Sequence, residues 1–167
     1  MEVRVATLAD IDRLPGIERS AARAFLGTSQ AMVVSDDVTP ANYHASRISA
    51  GLTWVATHRE TPIGFAYCEV FGDELHLWEL AVRLNDQKRG AGTALVAAVV
   101  AEARARGLRS VTLTTFRDIP WNGPFYARLG FAESRQDETD PRLAGLKAIE
   151  ASRGLDVANR CAMRLVL

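Results

Sequence analysis

Two cysteines in 167 residues are too few for a disulfide framework, so Cys68 and Cys161 read as reduced thiols of a cytoplasmic protein. An excess of charge of one sign is also missing. Twenty basic residues balance twenty acidic ones, leaving no global field to draw nucleic acid or an anionic membrane, so neither is expected as a partner. Any anion site must therefore be local. The longest apolar stretch, Thr93–Ala101, falls far short of a membrane span, and the start Met1-Glu-Val-Arg-Val has no charged-then-apolar signal pattern. No repeat, low-complexity tract or dividing linker occurs, which points to one domain over residues 1–167. No grouping of His, Cys and Asp has metal-ligand spacing, so no metal is expected. What is present is an ordinary globular composition, 48% hydrophobic and 24% charged, on a chain long enough to bury a sizeable core.

Strand and helix signals follow one another along the chain. Val3 and Val5 mark a short first strand. Thr7 and Asp10 form a capping-box pattern ahead of Ile11, Leu14, Ile17 and Phe25 at helical spacing, and Pro15 predicts a kinked or split helix. Thr39-Pro40 reads as the N-cap and first residue of a second helix, which Gly51 stops. Three strand-like stretches follow, Leu52–Thr57, Ile63–Phe71 and Leu75–Val82. Turns at Glu60-Thr-Pro62 and Gly72-Asp73 make them an antiparallel meander. Gly90–Arg106 is helical, with Leu95, Val96, Val99, Val100 and Ala103 on its buried side and Gly107 as its cap. Val111–Thr115 is a further strand, and Pro124 opens a short helix that Gly130 closes. Asp140-Pro141 begins another helix ending near Gly154, and Cys161–Leu167 closes the chain as a strand. This order predicts an α/β (α+β) layer fold with a mostly antiparallel mixed sheet covered by helices.

The most informative segment is Leu80-Ala-Val-Arg-Leu-Asn-Asp-Gln-Lys-Arg-Gly-Ala-Gly-Thr93. It passes from an apolar strand through a polar loop into a glycine-rich helix start. The first turn of a helix leaves backbone N–H groups without internal partners, and with the helix dipole these form an anion site. Gly90 and Gly92 let a phosphate approach the backbone, Lys88 and Arg89 add charge, and Thr93 adds a hydroxyl. A pyrophosphate suits this arrangement. A dinucleotide fingerprint fails because position 95 is not glycine, and a P-loop fails because no Gly-Lys-Ser/Thr follows. The plainer alternative is that the glycines only permit a tight turn.

Gln87-x-x-Gly90-x-Gly92, placed after Glu79-Leu-Ala-Val82, resembles the coenzyme-A-binding motif of the GCN5-related N-acetyltransferase (GNAT) superfamily. Asn122-Gly-Pro-Phe-Tyr-Ala-Arg-Leu-Gly-Phe131 resembles its second signature. The order of elements agrees over nearly the whole chain. The resemblance implies acetyl-coenzyme A as acyl donor and a sheet splayed at the cofactor site, with helices on both faces. A bulge near Glu79–Val82 would part that strand from Val111–Thr115. The pantetheine would lie in the gap, against the Leu80–Ala81–Val82 backbone. The pyrophosphate would rest on Gln87–Thr93, that is Gln87, Lys88, Arg89, Gly90, Ala91, Gly92 and Thr93. Asn122, Phe125 and Tyr126 would meet the coenzyme, with Tyr126 facing its sulfur.

An amine attacking a thioester must be uncharged, the carbonyl oxygen must be stabilised, and the thiolate must be protonated as it leaves. A tyrosine of ordinary pKa about 10 suits a thiolate whose thiol has pKa about 8.5, which makes Tyr126 the candidate acid. The family pattern implies a backbone N–H near Leu80 as oxyanion donor. Glu79, at the bulge, is the candidate base, with Asp118, His76 and Glu74 as alternatives. For His76 the competing reading is a hydrogen-bonded structural histidine. Strand alternation puts His76 and Trp78 on one face and Leu75, Leu77 and Glu79 on the other, until a bulge shifts the phase. Neither cysteine has a His- or acid-flanked setting, so direct transfer is expected over an acyl-enzyme.

The resemblance places the acceptor opposite the coenzyme, near Phe25, Trp54, Trp78, Phe116, Arg117, Asp118 and Trp121. Aromatic rings with an arginine suit a planar or carboxylated small molecule. The Asp140–Gly154 helix is expected to cover this site or to pair a homodimer. A small-molecule amine is the expected acceptor, and a peptide amine the alternative. The rivals are a non-catalytic coenzyme A sensor, against which Asn122 and Tyr126 argue, and a nucleotide module built on the same loop.

Overall fold

A computed structural model describes residues 1–34, 38–134, 140–152, 155 and 157–167. Seven strands form one sheet in the order β1-β2-β3-β4-β5-β7-β6. They are β1 Glu2–Val5, β2 Thr53–His58, β3 Thr61–Phe71, β4 Glu74–Val82, β5 Ser110–Phe116, β6 Ala132–Glu133 and β7 Arg160–Val166. All pairings are antiparallel except β4–β5. That pair is parallel because a helical crossover, α3 (Ala91–Ala105), joins the two strands.

The helices cover both faces. On one, Leu95, Val96, Val99 and Ala103 of α3 are buried against Leu75, Leu77, Val111 and Leu113. On the other, Leu14 and Ile17 of α1 (Leu14–Ala22) and Ile48 of α2 (Ala41–Ser49) pack on Val55, Phe65 and Ala81. Each fully buried Leu, Ile or Val contributes about 1.5–3 kcal/mol. Pro15 lies in the first turn of α1, where its missing N–H costs nothing, and a 3-10 turn over Leu8–Arg13 precedes it, so the expected split falls there. In that turn the Asp10 carboxylate accepts the Thr7 N–H at 2.8 Å and both guanidinium arms of Arg4 at 2.8 Å.

Three boundaries move from their expected places. Pro40 is the N-cap of α2 and lies outside it, with ψ of 148°, while Thr39 donates its N–H to Glu18. The β2–β3 turn falls on Arg59 and Glu60, both at positive φ, and Thr61 and Pro62 already belong to β3. Gly90 stands just before α3 at φ 88°, a conformation that suits glycine. The expected end near Gly154 lies outside the described residues.

Helix α5 (Pro141–Ser152) is fastened onto the face of β4, β5 and β7 that is turned away from α3. Asp140 caps it, accepting the N–H groups of Arg142 at 2.9 Å and Leu143 at 3.2 Å. Leu143 is fully buried. Arg142 donates to Glu74 at 2.6 Å and lies over the Phe71 ring, and Arg164 pairs with the other oxygen of Glu74. Ser110 adds a third bond to that carboxylate at 2.8 Å, so the buried charge is fully paired.

Candidate active site

The site is built on a defect in the sheet. Along β3–β4, Tyr67 opposes Glu79 but Cys68 opposes Leu77, so Trp78 is an extra residue and β4 bulges there. The phase changes as expected: Leu77 faces α3, whereas Glu79 and Ala81 share the face of Tyr67 and Phe65. The parallel ladder to β5 ends at Leu77 and Leu113. Beyond it β4 and β5 diverge.

Alternation of the antiparallel ladder then orients the backbone. Arg83 N–H donates to Ile63 O at 2.9 Å, so the hydrogen-bonded pairs continue at Phe65–Ala81 and Tyr67–Glu79. Leu80 and Val82 lie between them, and their polar groups turn away from β3 into the gap. The Gln87 side chain donates to Val82 O at 3.0 Å and ties the strand end to the polar loop. At the end of this loop the N-cap of α3 is Gly90, which has no side chain to cap the N–H groups that open the helix, while Lys88 and Arg89 stand exposed beside them. Gly92 packs beside Phe125 and Leu80, and a Cβ there would meet Phe125 at 3.5 Å. Uncapped N–H groups, adjacent cations and an open strand edge together fit an extended ligand with a phosphate end.

Asn122 precedes α4 (Gly123–Arg128) and its Oδ1 accepts from the Thr115 hydroxyl at 2.8 Å. Gly123 is required there, since a Cβ would come within 2.8 Å of Arg117 O. Tyr126 is 8% exposed and packs against Phe125 and Phe131. Burial first, and then the charge of Glu79, push its phenol above the ordinary tyrosine range. The phenol therefore stays protonated and is available as a donor to a partner that gains negative charge.

Glu79 is half-buried. Desolvation and the neighbouring Glu18 carboxylate push its carboxyl up to about 8, with Arg160 acting against them. The alternative bases are engaged elsewhere. His76 is buried, accepts from Arg142 at 3.3 Å, lies 3.0 Å from the Thr112 hydroxyl, and is held down to about 3 by burial and Arg142. It is the neutral structural histidine. Glu74 is consumed by the α5 fastening, and Asp118 is exposed.

Of the residues expected around the acceptor, Phe25, Phe116 and Trp121 come together, with ring centroids 5.8 and 5.9 Å from Phe25. Trp78 is the bulged residue, its indole N–H donating to Glu69 at 3.0 Å. Trp54 is buried on the α3 face, because β2 alternation turns it opposite to Val55. The Arg117 guanidinium donates to Glu133 at 2.7 Å and to Ala158 O at 2.9 Å. Sequence reasoning missed Glu18 and Arg160. Glu18 is an ordinary polar position of an amphipathic helix, and Arg160 precedes the expected last strand, so neither carries a local signal.

An open strand edge leading to a glycine-rich helix start is compatible with a transferase that uses a phosphate-bearing acyl carrier. The fold is similar to that of PaiA N-acetyltransferase from Thermoplasma acidophilum, in complex with coenzyme A, at 16% identity over 99% of this chain and 98% of that one, TM-score 0.77. It is also similar to ribosomal-protein-alanine N-acetyltransferase from Brucella melitensis, at 18% identity over 100% of both chains, TM-score 0.72. N-acetylglutamate synthase from Neisseria gonorrhoeae, complexed with coenzyme A and N-acetyl-glutamate, matches at 21% identity over 99% of this chain and 35% of that one, TM-score 0.72. Residues 20–131 match the acetyltransferase (GNAT) family, and the chain belongs to that family. It is an acetyl-coenzyme-A-dependent N-acetyltransferase.

Proposed function

We propose that the chain moves the acetyl group directly onto the primary amine of a small molecule, with Glu79 accepting the amine proton and Tyr126 supplying one at the sulfur. The observation that carries this reading is the bulge at Trp78. It turns Glu79 onto the face of Phe65 and Tyr67 beside the end of the β4–β5 ladder, where its charge acts on the buried Tyr126 phenol. When bound, acetyl-coenzyme A supplies an activated carbonyl and a thiolate leaving group.

Leu80 to Val82 hold the pantetheine arm by the backbone groups turned into the gap, and Leu80 N–H is the donor for the developing oxyanion. Gln87 to Thr93 hold the pyrophosphate, and Asn122 and Phe125 meet the arm between them. A carboxyl with a pKa near 8 is matched to an amine better than an ordinary glutamate is. Tyr126 keeps its proton until charge has built up on sulfur. Phe25, Phe116 and Trp121 support an acceptor with an apolar or planar body, and the engagement of Arg117 by Glu133 weakens the carboxylated alternative.

Thiol release from acetyl-coenzyme A across a panel of small amines and short peptides tests the reading. Turnover with small amines is expected. Binding without release would identify a sensor, and turnover confined to peptides would sink the small-molecule assignment. With the best amine, the acidic limb of the rate profile should lie near pH 8 and vanish in Glu79→Gln. A limb retained in that variant removes Glu79 from the mechanism.

A further inference from the structure

The bulge leaves Trp78 without a partner in the β3–β4 ladder, because Tyr67 opposes Glu79 and Cys68 opposes Leu77. A bulged residue breaks the local pairing, so its own backbone does little to fix its side chain. Here the side chain makes the missing tie. The Trp78 indole N–H donates back to Glu69 Oε2 of β3 at 3.0 Å. The same oxygen receives Nη2 of Arg47, on α2, at 2.8 Å. Arg47 also donates to the Tyr43 hydroxyl at 2.7 Å and lies over the Tyr43 ring at 4.8 Å, one helical turn earlier. The indole further meets the His76 ring edge-on, with centroids 4.7 Å apart, and Phe71 at 6.3 Å. A continuous set of contacts therefore runs from α2 through Glu69 to the bulge. Trp78 itself is half-buried on the face of Phe65 and Tyr67, beside Glu79 and just past the last β4–β5 pair at Leu77.

We propose that Glu69, held by Arg47, is a positioning residue for the acceptor: it fixes the Trp78 indole as a wall of the recess beside Glu79. The proposal rests on the reading that brings the acceptor amine to Glu79. A carboxylate shared by an indole N–H and a guanidinium makes charge-assisted bonds, stronger than a neutral pair would give. A ring fixed before the acceptor arrives need not be ordered on binding, which lowers the cost of association. The backbone beyond the bulge is held independently, by the Tyr67–Glu79 and Phe65–Ala81 pairs and by Arg83 N–H donating to Ile63 O at 2.9 Å. Loss of the Glu69 carboxylate therefore frees the indole but leaves Leu80–Val82, and with them the coenzyme, in place. The cost falls on the acceptor.

The test reads the indole and the kinetics together in the full-length protein. The chain has three tryptophans, so its nitrogen-15 spectrum shows three indole N–H signals, and Trp78 is assigned by the one that Trp78→Phe removes. Glu69→Leu should move that signal upfield and raise KM for the best acceptor of the amine and peptide panel about tenfold, the scale of one hydrogen bond to a charged group. Coenzyme A affinity by calorimetry should stay as in the parent. Glu69→Gln keeps an accepting oxygen and should recover most of the KM. An unmoved indole signal, an unchanged acceptor KM, or equal losses for acceptor and coenzyme would each overturn the proposal. If Glu69→Leu does not fold, Arg47→Met, which unfastens Glu69 from α2, decides by the same readouts. The two readings fail separately. Unimpaired thiol release by Glu79→Gln removes the base assignment, whereas an unchanged acceptor KM in Glu69→Leu removes only the role of Glu69. A panel without any acceptor removes both.

Discussion

Tyr126 and Gly123 show how much of the site turns on single residues. The phenol was expected to have an ordinary acidity, but it lies where burial and Glu79 both hold its proton on. Tyr126→Phe should therefore lower kcat by about 100-fold or more, the range of general acid catalysis, while calorimetry finds coenzyme A affinity nearly unchanged. An unchanged kcat would remove the phenol from the reaction. Gly123 carries a different burden. A methyl group there meets the carbonyls of Arg117 and Phe116, at 2.8 and 3.1 Å, and backbone yields poorly. Gly123→Ala should cost about 1–3 kcal/mol in chemical denaturation and weaken coenzyme binding through Asn122, one residue away. The Asn–Gly pair was visible in the sequence, but the reason for its glycine was not, because that reason is a contact with the end of another element.

At the scale of elements, the start of α3 is where local chemistry and function coincide. The strand, the polar loop and the glycine-rich helix start were legible because capping, dipole and unpaired N–H groups are local properties. Gly90 adopts φ 88°, so Gly90→Ala should destabilise by about 1 kcal/mol and shift the first turn of the helix. The expected signature is a rise in the coenzyme A dissociation constant out of proportion to a small fall in Tm. Equal affinity in the variant would show that the turn tolerates Ala and that the cradle does not depend on it. Helix α5 is the opposite case. Its start was readable from Asp140-Pro141, yet its partners Glu74, Arg164 and Arg160 are 24 or more positions away or lie beyond its far end, and charged residues at such distances carry no periodic signal.

For the whole molecule, the charge balance hides a pH-sensitive tie between the first strand and the first helical turn. Hydrogen bonds from Arg4, with help from Thr7, hold the Asp10 carboxyl down to about 2 despite its burial. An unfolded aspartate titrates near 3.9. A depressed folded pKa contributes stability that is present above about pH 4 and is lost as pH falls toward 2. The contribution is about 1–2 kcal/mol once the partial exposure of Arg4 is allowed for. The urea midpoint should fall over that window in the parent protein, and Asp10→Asn should be less stable at pH 7 with a flatter acid dependence. Parallel curves would assign the acid loss to other groups.

The chain's own order of residues determined what short-range physics controls: the strand and helix succession, the polar loop leading into a glycine-rich helix start, the Asn122–Tyr126 turn and the change of face at the bulge. All of these depend on residues within one or two turns of each other. Tertiary structure alone decided which side chains share the recess. It set Trp54 in the opposite core, gave Arg117 to Glu133, and brought Glu18 and Arg160 from the two ends of the chain to one carboxyl. Charges act through space with a reach of several ångströms, so their neighbours are fixed by sheet order and helix docking, which no local pattern records.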